Sequence, residues 1–290
     1  MKKIIILIPV YNDWESLKKL IIEISKNIKT LNDFSFECLI VNDASTTQPP
    51  EIVKPKEFTS IEILNMKENR GHARCNAFGI RYIFENKEFD YLILMDSDGE
   101  DRPVEIKNLV NKICENPNAT VVAKRIERSE GLLFQLLYQA HKLITIIFTG
   151  KNINFGNYSL LTKDDVEILH SKASLWSSFS GSVKKYLKPL NEINSKRGLR
   201  YFGPSHMSIF KLVIHSLSII AVFKYQVFLR STIMIIVLAF LSSYLKNFSI
   251  ISQILIVIFN LVILAISKRE TKEDLINSHK NLNEVKIIIH

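Results

Sequence analysis

The sequence predicts an α/β domain with a doubly wound, mostly parallel β-sheet, followed by a C-terminal two-helix transmembrane hairpin. Three observations carry this. Short β-branched and aliphatic runs alternate with segments of helical periodicity through about the first 125 residues. Polar and charged residues gather directly after those runs, at what would be the ligand-binding ends of parallel strands. Residues 247–267 carry no charged side chain over 21 positions, and at 1.5 Å per residue they reach about 31 Å, the thickness of a hydrocarbon core.

Residues 4–8 form the first strand, ended by Pro9. Leu17, Leu20, Ile21, Ile24 and Ile28 then repeat at helical spacing. Strands follow at 36–41, 61–64, 91–95 and 119–123, with helical patterns at 71–84 and 103–114. A βαβαβ rhythm of this kind gives a parallel sheet covered on both faces. Residues 132–148 are apolar and aromatic with Gln135, Gln139, His141 and Lys142 interspersed, which fits either a helix lying on a membrane or a core helix. Residues 207–223 read as an interfacial helix, with packing on the soluble domain as the alternative. The first span is shorter: 231–245 lacks charge, so it crosses only if 227–229 join it and Arg230 snorkels. The domain expectation is therefore a 1–205 α/β unit, a 206–226 amphipathic juxtamembrane segment, two spans within 227–267, and a 268–290 tail.

The chain has 290 residues, 47% of them hydrophobic and 23% charged, which excludes a disordered chain. Of the net charge of +9, a surplus of 6 lies in residues 200–290, beside the apolar segments. That placement fits an anionic bilayer surface and argues against a nucleic-acid binder. Lys224, Arg230, Lys268, Arg269 and Lys272 flank the outer ends of the spans, which by the positive-inside rule puts both ends in the cytoplasm. Three scattered cysteines give neither a disulfide framework nor a zinc-ligand spacing. The apolar stretch after Lys3 is too short for a signal peptide. Together these predict a multi-pass protein of the cytoplasmic (inner) membrane, with its α/β domain and C-terminus facing the cytoplasm.

The strand ends carry the chemistry. They read Pro9-Val10-Tyr11-Asn12-Asp13, Asn42-Asp43-Ala44-Ser45, Asn69-Arg70-Gly71, Asp96-Ser97-Asp98-Gly99-Glu100-Asp101, and Lys124-Arg125 with Arg128 nearby. No glycine-rich phosphate loop occurs. Two carboxylates one residue apart, Asp96 and Asp98, can share a hard divalent cation that also takes phosphate oxygens. The alternative is an acidic turn capping the next helix, a task Asp101 could perform alone. The histidines show no paired metal spacing, and Trp14 and Trp176 fit packing better than sugar stacking.

Taken in order and spacing, Ile8 to Asn12, Val41 to Thr46, Asn69 to Gly71 with Asn76 and Gly79, and Met95 to Pro103 make the chain resemble a family 2 glycosyltransferase of the GT-A fold. The remainder, with Gly203-Pro204-Ser205-His206-Met207 and the apolar C-terminal part, is similar to the polyprenol-phosphate branch, which includes dolichol-phosphate mannosyltransferases. The resemblance implies inverting transfer from a UDP- or GDP-sugar with Mg²⁺ or Mn²⁺. It implies that Pro9, Tyr11, Asn12 and Arg70 line the nucleotide-sugar pocket and that Asp43 fixes the base. Asp96 would meet the ribose or the metal, and Asp98 would ligate the metal. Arg125 would meet phosphate, helped by Arg128, with Ser205 beside the acceptor. Three departures stand out: Asn42 replaces an acid, Gly99-Glu100 replaces Leu-Gln, and Phe155-Gly156-Asn157-Tyr158-Ser159 replaces a segment bearing an arginine.

The acceptor decides the catalytic groups. A sugar hydroxyl requires a general base, for which Glu100 or Asp101 is the candidate. A polyprenyl phosphate is already ionised and instead requires cations, which Lys124, Arg125, Arg128 and Lys142 can supply. Expected partners are thus a nucleotide-sugar donor, a polyprenyl phosphate or lipid-linked saccharide acceptor, and the bilayer, with a homo-oligomer left open. Extension of a lipid-linked saccharide and a non-catalytic membrane assembly factor on the same fold are the alternatives.

Overall fold

The computed structural model describes residues 1–127, 132–204 and 208–288. The chain opens with β1 (Lys2–Val10), α1 (Trp14–Ile28), β2 (Phe34–Asn42), β3 (Phe58–Met66), α2 (His72–Asn86) and β4 (Tyr91–Leu94). There follow α3 (Ile106–Glu115), β5 (Val121–Glu127), α4 (Leu132–Thr149), β6 (Phe155–Thr162), α5 (Lys163–Leu169), α6 (Phe179–Tyr186) and β7 (Asn191–Lys196). The apolar part is α7 (Ile209–Ala221), α8 (Lys224–Phe240), the short α9 (Ser242–Leu245) and α10 (Asn247–Ser267). It ends in α11 (Lys272–Ile276), a 3₁₀ turn (Asn277–Asn281) and β8 (Leu282–Ile288).

The eight strands form one mixed sheet in the order β7-β5-β6-β4-β1-β2-β3-β8. β1, β2, β3 and β4 run parallel, as the sequence predicts. β6 enters antiparallel between β4 and β5, and β8 adds antiparallel to β3. Because the chain winds from β1 through β2 to β3 and then restarts at β4 on the other side, the strand order reverses between β1 and β4. A crevice opens at the carboxyl ends of strands at such a reversal.

Alternation along β1 builds two cores. Ile4, Ile6 and Ile8 pack toward Leu17, Leu20 and Ile24 of α1 and toward α3, while Ile5 and Leu7 pack toward Phe78 and Ile80 of α2. With both faces covered, the strand reads as a continuous aliphatic run. Gly79 allows α2 to close on the sheet, since a Cβ there would lie 2.4 Å from a Leu7 methyl.

The C-terminal part differs from expectation in two respects. Among the described residues α10 is long and apolar enough to cross a membrane, while α7 and α8 form a pair bent by 85°. Ile250, Ile251, Ile254, Leu255, Ile258 and Leu261 of α10 are each half exposed or more. Half-exposing six such side chains to water costs roughly 5–9 kcal/mol, comparable with the whole stability of a domain, so this face requires an apolar surrounding. The second difference is the segment expected as a tail. Leu275 is fully buried in the main core and β8 closes the sheet edge, so 268–288 packs with the folded α/β unit. On α4, Leu136 and Leu143 are exposed, and its C-terminal carbonyl at Ile147 accepts Arg230 Nε–H at 2.7 Å. Arg230 therefore ties α8 to α4.

Candidate active site

The acidic turn after β4 stands at the sheet's reversal point, opposite the end of β1. Asp96 Oδ1 lies 3.1 Å from His72 Nε2 and accepts Asn157 Nδ2–H at 3.2 Å. Burial opposes the charge of Asp96, but His72, Arg125 and Asn157 hold the carboxyl well below its usual range. Burial also opposes the charge of His72, and Asp96, with Asp98 and Asp101 behind it, outweighs that and raises the imidazole. Asp98 is pushed up to about 6 by burial and by the negative charges of Asp96 and Glu100. Asp101 is pushed up to about 7 by burial and Asp96, against Arg125. The acids of this turn crowd one another closely enough that Asp96 raises both Asp98 and Asp101. Carboxylate oxygens are the ligands a hard divalent cation takes; among the described residues no group of three or more His, Cys, Asp or Glu is placed to hold a metal ion.

The remaining candidate residues, Arg128 and Ser205 excepted, have definite places. Asp101 is only 6% exposed and its Oδ2 accepts the Asp96 amide at 2.9 Å, so it braces the turn from inside. Glu100 is ion-paired with Arg197. Asp43 accepts the amides of Arg70 and Gly71, both at 2.8 Å, which joins the end of β2 to the loop after β3. The Arg70 side chain points outward to Glu68 at 3.4 Å. Asn12, in a left-handed conformation with φ 52°, accepts the amides of Thr46 and Thr47 and stitches the β1 end to the β2 loop. Tyr11 is 39% exposed beside it, and Pro9 sits in register with Val41. Arg125 folds over Gly156, where an added Cβ would lie 2.5 Å from its guanidinium. The departure in β6 therefore has a physical use: glycine makes room for Arg125, and Asn157 meets Asp96. Arg128 and Ser205 lie outside the described residues.

Three further residues escaped the sequence reading. His72 is the first residue of α2, two positions after Arg70, and touches Asp96. Arg197 and Arg200 come from the segment after β7, which lies on the acidic turn: Gly198 N–H donates to Glu100 O at 2.8 Å and Tyr201 N–H to Asp98 O at 2.9 Å. Arg200 donates to Asp98 Oδ2 at 2.7 Å and to Asp13 Oδ2 at 2.6 Å, bridging the two strand ends of the crevice. Gly99 has φ +87° and carries Tyr201 against its Cα, a contact any side chain would block. α7 packs against α4, α6, α8 and α10.

Known proteins are similar to this chain in sequence or in fold. Undecaprenyl-phosphate 4-deoxy-4-formamido-L-arabinose transferases from Salmonella choleraesuis and Salmonella paratyphi B are each 26% identical over 223 residues, 73% of this chain and 65% of theirs. The chain thus spans under two thirds of the length of those relatives. Among solved structures, glucosyl-3-phosphoglycerate synthase from Mycobacterium tuberculosis, crystallised with Mn²⁺, UDP-glucose and phosphoglyceric acid, superposes with a TM-score of 0.53 at 14% identity, covering 78% of this chain and 80% of that one. The same enzyme with Mn²⁺, UDP and phosphoglyceric acid gives 0.51, with 78% of each chain covered at 14% identity. These establish the GT-A fold. The model of glycosyl transferase family 2 matches residues 5–179, from β1 to the first residue of α6 and across Asp43, Asp96 and Asp98, so this chain belongs to glycosyl transferase family 2.

Proposed function

We propose that the chain is an inverting membrane glycosyltransferase that moves a sugar from a UDP- or GDP-sugar to a polyprenyl phosphate such as undecaprenyl phosphate, for cell-envelope glycan synthesis. The observation that carries this reading is the gathering of Asp96, Asp98 and Arg125 at one end of the sheet, through Asn157 and Gly156 of β6, in a chain whose α10 is long and apolar enough to cross a membrane. Asp43 and the Arg70 and Gly71 amides form the base end of the donor pocket. Asp96 and Asp98 would hold Mg²⁺ or Mn²⁺, which when bound neutralises the diphosphate that leaves. Arg125 orients phosphate. An acceptor phosphate oxygen attacks the anomeric carbon as the bond to the diphosphate breaks, and nucleoside diphosphate departs.

The engaged carboxylates favour a phosphate acceptor over a hydroxyl. Glu100 is paired with Arg197 and Asp101 is buried under Asp96, so neither sequence-derived base faces an acceptor hydroxyl. An ionised phosphate needs none. Two relatives whose names specify undecaprenyl phosphate support the same choice.

The strand pairing also supports a reading of the membrane topology. β8 lies beside β3 in the sheet, so any spans between β7 and β8 would have to cross the bilayer an even number of times. This supports a two-helix hairpin with both ends on the catalytic, cytoplasmic side. The Lys224–Glu270 ion pair at 3.6 Å ties its two ends together.

The test is a donor screen with full-length protein in detergent, Mn²⁺ and undecaprenyl phosphate, read by mass of the lipid product. A sugar-phosphate lipid from one nucleotide-sugar supports the reading. Transfer only to a saccharide hydroxyl favours the lipid-linked saccharide alternative, and unchanged behaviour on loss of Asp98 favours the assembly-factor alternative.

A further inference from the structure

The donor loop is held from behind by chain that follows the apolar helices. Asn281, only 5% exposed, accepts the Glu68 amide on Oδ1 at 3.1 Å and donates Nδ2–H to the Glu68 carbonyl at 3.0 Å. Its own carbonyl accepts Lys67 N–H at 2.8 Å, and the Lys280 carbonyl accepts Lys67 Nζ at 3.0 Å. One residue later β8 begins and pairs Leu282 with Met66. Two residues beyond Glu68, the Arg70 and Gly71 amides grip Asp43. A small cavity lies at this junction, lined by Asp43, Arg70, Arg74, Trp176, Ser278 and Asn281 among others.

The side-chain amide of Asn281 satisfies both polar groups of a loop backbone unit that no sheet ladder serves. Loops that must present backbone amides in fixed directions need such bracing, because each unfixed residue retains entropy that opposes ligand binding. Leu275, fully buried, anchors the same segment in the core six residues upstream.

We propose that Asn281 is a positioning residue for the nucleotide: it acts through Glu68 and the 69–71 loop to fix the amides that orient Asp43, so the donor pocket is completed by chain that follows the membrane segment. This rests on the reading that Asp43 holds the nucleotide base. The donor site is then coupled to correct return of the chain after α10.

The test uses full-length protein in detergent with UDP and GDP, each with Mn²⁺, as probes in calorimetric titration, alongside steady-state transfer. Loss of two hydrogen bonds that preorganise the loop is expected to weaken nucleotide binding about tenfold in Asn281→Ala. KM for the donor rises in step while kcat at saturating donor stays within about twofold. Asn281→Asp keeps the acceptor and loses the donor, so it falls between the two, and it answers the same question if Asn281→Ala does not fold. Lys280→Ala keeps the carbonyl that Lys67 uses and binds like the parent. Asn281 variants that bind nucleotide like the parent, while Asp43→Ala loses it, overturn the proposal and leave the nucleotide reading standing. A parent protein that binds neither probe overturns both.

Discussion

Arg200 holds Asp98 in a 2.7 Å ion pair although 102 residues separate them, and its second Nη reaches Asp13 at 2.6 Å. One guanidinium therefore joins the ends of β1 and β4 across the crevice. Replacing it by Ala strands two carboxylates, both only 13% exposed. Loss of hydrogen bonds to charged groups costs about 1.5–3 kcal/mol each, less what solvent recovers, so Arg200→Ala is expected to lower stability by roughly 2–4 kcal/mol. Arg200→Lys restores little, because a single ammonium cannot span both acids. Thermal unfolding of the full chain in detergent checks both.

The acidic turn gives metal-free protein a definite pH dependence. Asp98 and Asp101 have folded values of about 6 and about 7, above the unfolded 3.8, so the folded state binds more protons between about pH 4 and 7 and stability falls as pH rises through that window. His72 is raised above 6.5, so its contribution is full below 6.5 and is lost as pH climbs through its folded value. Asp96 is lowered, so its contribution is present above 3.8 and is lost on acidification below that. The expected result is a higher unfolding temperature at pH 5 than at pH 8 without metal. Added Mn²⁺ should raise that temperature more at pH 8 than at pH 5; equal shifts contradict the account.

Gly156→Ala tests the placement of Arg125. The new methyl meets the end of a flexible side chain, which can swing aside, so the fold is expected to survive with its unfolding temperature little changed. Transfer should fall about 10- to 100-fold, as misplaced catalytic groups do. Steady-state rates beside thermal unfolding separate the two effects.

Leu275→Ala tests whether the returning segment belongs to the catalytic core. A fully buried leucine cut to alanine costs about 2–5 kcal/mol. A change within about 0.5 kcal/mol would mark the segment as a surface appendage.

Much of this architecture was legible in the sequence for physical reasons. Strands buried on both faces must be continuous aliphatic runs, so β1, β2 and β4 stood out, and α10 matched the charge-free segment. β8 did not: Leu282–Ile288 is an exposed edge strand with Glu284 and Lys286 interspersed, and its partner β3 lies more than 200 residues upstream. β6 was equally hidden, because its residues Gly156 and Asn157 serve the site rather than the core. Asp43, Asp96 and Asp98 stand just past β2 and β4, where the sequence places them, whereas Arg125 falls inside β5, which runs on to Glu127. The same rule extended one residue, past Gly71, would have found His72. Arg197 and Arg200 leave no periodic mark; only the fold brings them to the acidic turn.

The central claim is that Asp96 and Asp98 make this crevice a sugar-transfer site for a lipid phosphate. The most direct measurement compares full-length parent and Asp98→Asn for formation of glycosyl-phosphoryl-polyprenol, with and without chelator, by mass of the lipid product. The account predicts product from the parent, none detectable with chelator, and a loss of about 100-fold or more in Asp98→Asn with the fold intact. Product formed equally by both proteins would contradict it.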